Sequence, residues 1–176
     1  EKSLAFLQEN TALPCVFDAD ILYAKELPAL LCERSKVAAP TVLTPHPKEF
    51  CALLKNCGLG SFSVPQAESE RNNLVQAFCQ KYENTVLLLK GATVVIGNKA
   101  AGKEAELFFN PHGSSALAKA GSGDVLAGLV VSLLSQNFPA LAAAQTASLA
   151  HALSGSSVHP NFSLTPERLI EALSNY

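Results

Sequence analysis

Apolar residues along this chain gather in short runs rich in branched side chains, and longer stretches with a helical repeat separate them. That alternation predicts βα units around a mostly parallel sheet. "PCVFDAD" (14–20) reads as a buried strand ending in acids, and "APTVLTPHP" (39–47) as a second strand halted by prolines. "TVLLLKG" (85–91) is a third, wholly apolar until Lys90. Between them lie helical patterns over 26–36, 47–56 with Pro47 in the first turn, and 65–82. "TVVIGN" (93–98) and "EAELFFN" (104–110) form a strand pair of antiparallel style around "GNKAAGK". Helices follow over 122–136 and 139–153, with a last one begun by "TPERLIEAL" under a Thr165 cap. A three-layer αβα domain spanning 1–176 is expected, with glycine/serine loops at 58–64 and 112–115.

Composition narrows the function classes. Of 176 residues, 48% are hydrophobic and 16% charged, which suits a buried sheet and opposes disorder. A net charge of −2 offers no basic footprint for nucleic acid or for an anionic membrane surface, so any recognition of phosphate must be local. The five cysteines, Cys15, Cys32, Cys51, Cys57 and Cys79, form no C-x-x-C pair and read as thiols of a reducing compartment. No apolar run is long enough to span a bilayer, and a cytoplasmic location is expected. The sequence opens on "EKSLAFLQEN", inside a helical pattern and without methionine, so upstream residues are expected.

Candidate chemistry falls where ligands collect in open α/β sheets, beyond the carboxyl ends of strands. Asp18 and Asp20, His46 with Glu49, Lys90, Asn110 and the loop 119–124 all interrupt apolar runs there. In "AGSGD", Gly121 and Gly123 expose N–H groups at a helix N-terminus, and Asp124 follows in its first turn. An anion hole beside a general base suits phosphoryl transfer to a hydroxyl; a Ser122/Asp124 cap on a packed helix is the simpler alternative. In "TPHPKE", two prolines restrict His46, and Glu49 either holds magnesium through water or completes a solvated turn. Lys90 and Gly91 either meet phosphate or sit on a surface hairpin. "DAD" either positions a ligand hydroxyl or caps a strand. His151 reads as a packing histidine and His159 as loop.

Taken together, "VFDADIL", "VLTPHPKEF", "VLLLKGATVVI", "NPHGSSALAKAGSGDVLAGLVVSLLSQ" and "HALSG" resemble the ribokinase-like NAD(P)H-hydrate dehydratases. The blocks cover nearly the whole chain, and "TPHP" with "GSGDVLAG" is the specific combination. The resemblance implies repair of hydrated NADH or NADPH, driven by ADP or ATP with Mg2+. It implies Asp124 as the base toward the C6 hydroxyl and as a substrate contact, with His46 also contacting the hydrated dinucleotide. It implies Lys90, Gly91, Ala92, Thr93, Val94, Gly121, Ser122 and Gly123 around the adenine nucleotide, and Glu49 at the metal through water. A homo-oligomer, and an NAD(P)H-hydrate epimerase fused or separate, are expected partners.

Departures from the family pattern stand at Lys48, at Val94 where a hydroxyl is usual, at His112 and Lys119 where small hydroxyl residues are usual, and at Tyr23. The family's N-terminal third, with a glycine-rich substrate segment, has no counterpart here. Two rivals remain: a ribokinase-like vitamin-alcohol kinase, which usually lacks the "TPHP" block, and a non-catalytic nucleotide sensor, which has no need of Asp124 beside two glycines.

Overall fold

The computed structural model describes residues 2–158 and 164–175, with side chains from Ala5 onward; the reading of His159 as loop lies outside the described residues. Five strands, β1 (Cys15–Phe17), β2 (Thr41–Leu43), β3 (Thr85–Leu89), β4 (Val94–Asn98) and β5 (Glu106–Asn110), form one sheet in sequential order. β1, β2 and β3 pair in parallel, and β3–β4 and β4–β5 are antiparallel. Four strands therefore run in one sense and β4 alone runs against them. The sheet is mixed, as the hairpin-like spacing of 93–110 anticipates.

Side-chain alternation along the strands builds both faces. On one, Phe17, Leu43, Leu87 and Leu89 meet α2 (Leu27–Lys36), α3 (Pro47–Asn56) and α5 (Arg71–Lys81) through Leu30, Phe50, Leu53, Val75 and Phe78. On the other, Val42, Val86, Leu88 and Ile96 meet α6 (Ser122–Ser135) and α7 (Ala140–Ser157) through Leu126, Val130, Ala143 and Ala147. Each such aliphatic side chain contributes about 1.5–3 kcal/mol when fully buried. α8 (Pro166–Leu173) closes a third cluster with Val125 and Leu169, and Thr165 caps it by accepting from the Arg168 N–H, as the sequence predicts.

The elements are shorter or more divided than the pattern predicts in three places. β1 stops at Phe17, and a 3-10 turn (Ala19–Tyr23) takes over "DAD". β2 stops at Leu43, because Pro45 and Pro47 lack the N–H that would continue a ladder. The helix predicted over 65–82 is two, α4 (Val64–Ser69) and α5, broken at Glu70. Before both, α1 (Lys2–Glu9) confirms the helical opening. The cysteines are free, and burial pushes the Cys79 thiol up to about 12, so it is inert at neutral pH. Among the described residues, no helix is long and apolar enough to cross a membrane.

Arg34, wholly buried on α2, ties together the chain entering β1 and the chain entering β2. Its guanidinium donates to Thr11 O (2.9 Å), Leu13 O (2.6 Å), Pro40 O (3.1 Å) and Thr41 Oγ1 (3.0 Å). Replacement by leucine takes the guanidinium from the buried Thr41 hydroxyl and breaks all four bonds at once. Arg34→Leu is expected to cost at least about 3 kcal/mol. A urea titration reads this directly, and an unmoved midpoint contradicts it.

Candidate active site

The strand senses bring every predicted polar position to one edge of the sheet. Asp18 follows β1, His46 follows β2, Lys90 follows β3, and Asn110 closes β5. The register aligns Phe17, Leu43 and Leu87, and two backbone bonds fix the loops beyond: Thr44 N–H to Phe17 O (3.0 Å) and Lys90 N–H to Pro45 O (2.8 Å).

A cavity of about 620 Å³ opens at this edge, within the usual range for small-molecule sites. His46, Lys90, Gly91, Ala92 and Val94 line it from the β2 and β3 sides; Ser114, Leu117, Lys119, Ser122, Gly123 and His151 line it from the others. Leu117, Leu126 and Val94 give it an apolar stretch suited to a planar base. Gly113 holds the two walls together, because a methyl group there would run into the Ala92 carbonyl oxygen. Thr93 does not line the cavity, and its carbonyl instead accepts from Arg71 Nη1 (3.3 Å).

The first turn of α6 divides this cavity from a second, more open one of about 450 Å³, to which Gly121 and Asp124 belong, with Gly128, Pro166 and Ile170. Asp124 therefore does not line the cavity that Lys90 lines. Ser122 and Gly123 line the first cavity, while Asp124, exposed and about a further 100° around the helix from Gly123, lines the second. No side chain caps α6. Its N-cap is Gly121 at φ +84°, so the capping alternative for Ser122 and Asp124 is not realised. A methyl group on Gly121 would also lie 2.5 Å from Pro166 Cγ of α8. The first-turn N–H groups keep the electropositive character of a helix start.

Ser122 is held by a residue read as mere packing. His151 Nε2 lies 2.9 Å from Ser122 O and 3.0 Å from Ser122 Oγ. A carbonyl can only accept, so Nε2 carries a proton toward Ser122 O. Burial pushes the His151 pKa below its ordinary 6.5, and the bond to Ser122 opposes that shift less strongly. The spacing of 29 residues hides this latch in the sequence.

His46 and Glu49 form a reciprocal cap on α3. Glu49 N–H donates to His46 Nδ1 (3.2 Å), and His46 N–H donates to Glu49 Oε2 (2.7 Å). His46 Nε2 lies 3.2 Å from Glu49 Oε1. Lys90 Nζ is 2.8 Å from Asp18 Oδ1 and 3.9 Å from Glu49 Oε2. Asp18, left between two roles by the sequence, is thereby joined to the site. Among the described residues no three His, Cys, Asp or Glu side chains gather as a metal centre. Glu49 is a hard oxygen donor already engaged at both oxygens, which fits magnesium held through water and not directly. Of the departures, Lys48 and His112 face solvent, and His112 N–H donates to Asn110 Oδ1 (3.0 Å). Tyr23 closes the 3-10 turn, and its carbonyl accepts from Asn56 Nδ2 (3.0 Å).

This architecture, with a glycine-started helix facing the carboxyl ends of a largely parallel sheet, is that of ribokinase-like proteins. The chain matches the NAD(P)H-hydrate dehydratase family over residues 1–175 and belongs to it. It is 46% identical over 160 residues to the bifunctional NAD(P)H-hydrate repair enzyme Nnr of Helicobacter pylori, covering 91% of this chain and 32% of that protein. It is 35% identical to the ADP-dependent (S)-NAD(P)H-hydrate dehydratase of Neisseria meningitidis, covering 78% of this chain and 43% of that one. The Bacillus subtilis ADP/ATP-dependent NAD(P)H-hydrate dehydratase, co-crystallised with ATP/Mg2+ and soaked with CoA, superposes with a TM-score of 0.74. That pair is 25% identical and covers 99% of this chain and 60% of the other. The chain thus spans less than half of the length of the two sequence relatives.

Two outcomes are expected. A neutral buried His151 binds fewer protons folded than unfolded, so stability falls as pH drops below 6.5 and is regained above it. Melting temperatures between pH 5.5 and 8 should show a decline on the acid side that His151→Gln flattens. Gly121→Ala meets both a left-handed backbone and Pro166, and is expected to cost about 1–3 kcal/mol; an unchanged melting temperature contradicts it.

Proposed function

We propose that this chain carries the catalytic part of an NAD(P)H-hydrate dehydratase that uses ADP or ATP to return hydrated NADH or NADPH to the reduced cofactor. One observation carries the reading. Within a chain of this family, the first turn of α6 stands between a nucleotide-sized cavity with a lysine and a second cavity with a carboxylate.

The adenine nucleotide occupies the first cavity. Its base lies against Val94, Leu117 and Leu126, and Gly91 and Ala92 allow a close backbone approach. Its terminal phosphate meets Lys90 and the N–H groups of Ser122 and Gly123. Gly121 supplies the turn that aims them; Thr93 acts only by positioning the backbone of this segment. Magnesium, when bound to the phosphates, spreads their negative charge, with Glu49 reaching it through water.

The hydrated ring enters from the second cavity. Asp124 accepts the proton of the C6 hydroxyl as that oxygen attacks the terminal phosphorus and AMP or ADP departs. The C6–O bond then breaks, the phosphate leaves with both electrons, the ring nitrogen donates its lone pair, and loss of a ring proton restores the dihydronicotinamide. His46, on the wall of the first cavity, contacts the dinucleotide. Cooperation with an NAD(P)H-hydrate epimerase, fused or separate, belongs to the same proposal, and the bifunctional name of the Helicobacter relative is in keeping with it.

Turnover is measured as recovery of reduced-nicotinamide absorbance from the hydrate with ADP or ATP. The intact protein is expected to turn over, and no recovery with either nucleotide refutes the reading. Asp124→Asn should lose about 100-fold or more in rate with little change in nucleotide affinity; undiminished turnover removes Asp124 from the base role.

A further inference from the structure

We infer that Asp18 is a positioning residue of this site: it holds the Lys90 ammonium against the first turn of α6, where it forms half of a preassembled phosphate receptor. The inference rests on the reading of the larger cavity as an adenine-nucleotide site and adds to it the residue that keeps the receptor in place.

A lysine at the end of a strand ordinarily extends its strongly hydrated ammonium into water. Lys90 does not. Its side chain is 21% exposed, and its Nζ sits 2.8 Å from Asp18 Oδ1, in a carboxylate 15% exposed. A methyl group on Gly123 would stand 3.4 Å from Lys90 Nζ and 3.9 Å from Asp18 Oδ2, so both charges lie directly against the α6 backbone.

That place is electrostatically costly for a cation on its own. The start of a helix carries partial positive charge, and an ammonium beside it is repelled. Asp18, set against the same backbone and 2.8 Å from Nζ, offsets this repulsion. Glu49 Oε2, at 3.9 Å from Nζ, adds a weaker attraction from a second direction. Two positive features, ammonium and helix start, are thereby held converging on one point before any ligand arrives. A receptor of this kind binds a phosphate without first having to move a flexible side chain.

The backbone makes Asp18 the partner. β1 and β3 flank β2, and their aligned registers bring the residues just beyond Phe17 and Leu89 over the end of β2. Lys90 N–H is fixed on Pro45 O, which leaves its side chain to bridge back toward Asp18. The two residues stand 72 positions apart, so only the fold brings them together.

The test uses the intact protein and its Asp18→Asn, Lys90→Ala and doubly substituted variants. Acylation of Lys90 Nζ is followed by mass spectrometry, and ADP and ATP affinity by calorimetry. Asp18→Asn is expected to speed Lys90 acylation about tenfold and weaken nucleotide binding about tenfold, with the double variant no weaker than Lys90→Ala alone. A pair with a purely structural role changes melting temperature and leaves the affinities alone. Unchanged acylation overturns the inference, as do additive losses of affinity, or tighter binding in Asp18→Asn, which would mean that Asp18 competes with phosphate. A protein that binds nucleotide normally but does not turn over the hydrate refutes the dehydratase reading, while the inference is still decided by the binding data. A protein that binds neither nucleotide overturns both.

Discussion

Burial of β3 on both faces is the constraint on which the rest depends. Every residue from Thr85 to Leu89 is shut away from water, with Leu87 and Leu89 packed toward α3 and α5 and Val86 and Leu88 toward α6 and α7. Such a strand has no room for a charge along its length, because an unpaired ion there would have to be desolvated. Polarity can begin only where the strand ends. β1 and β2 run alongside in the same sense, so their first polar residues emerge at that edge too. The site is where a buried sheet first releases its chain to water.

Much of this was legible in the sequence. "TVLLLKG" announces a doubly buried strand by having no polar alternation, and Lys90 marks its end in both the sequence and the fold. Pro45 and Pro47 signal the turn after β2, although they act sooner than the apolar run implies, since the missing N–H groups end the ladder at Leu43. The strand pair 93–110 is recognisable from its turn residues.

What remained hidden was of two physical kinds. Azimuth around a helix is one: "GSGD" shows that Asp124 adjoins Gly123, yet one residue is about 100° of rotation, enough to move the carboxylate from one cavity to another. Partnership across the fold is the other. Asp18 with Lys90, and His151 with Ser122, are pairs set by register and packing, and a reading by local spacing has no term for either. The break at Glu70 has no proline or glycine to announce it.

Gly121 is fixed by two demands at once, a left-handed backbone and the bulk of Pro166 pressed against it. The first turn of α8 is therefore a buttress for the turn that starts α6, although 45 residues separate them along the chain. Thermodynamic linkage makes such a contact two-way. Whatever free energy the seating of the last helix lends to a ligand at the α6 turn, the bound ligand returns to that seating. The far end of the chain thus becomes a gauge of occupancy at the site, one that hydrogen exchange along α8 would read without touching the chemistry.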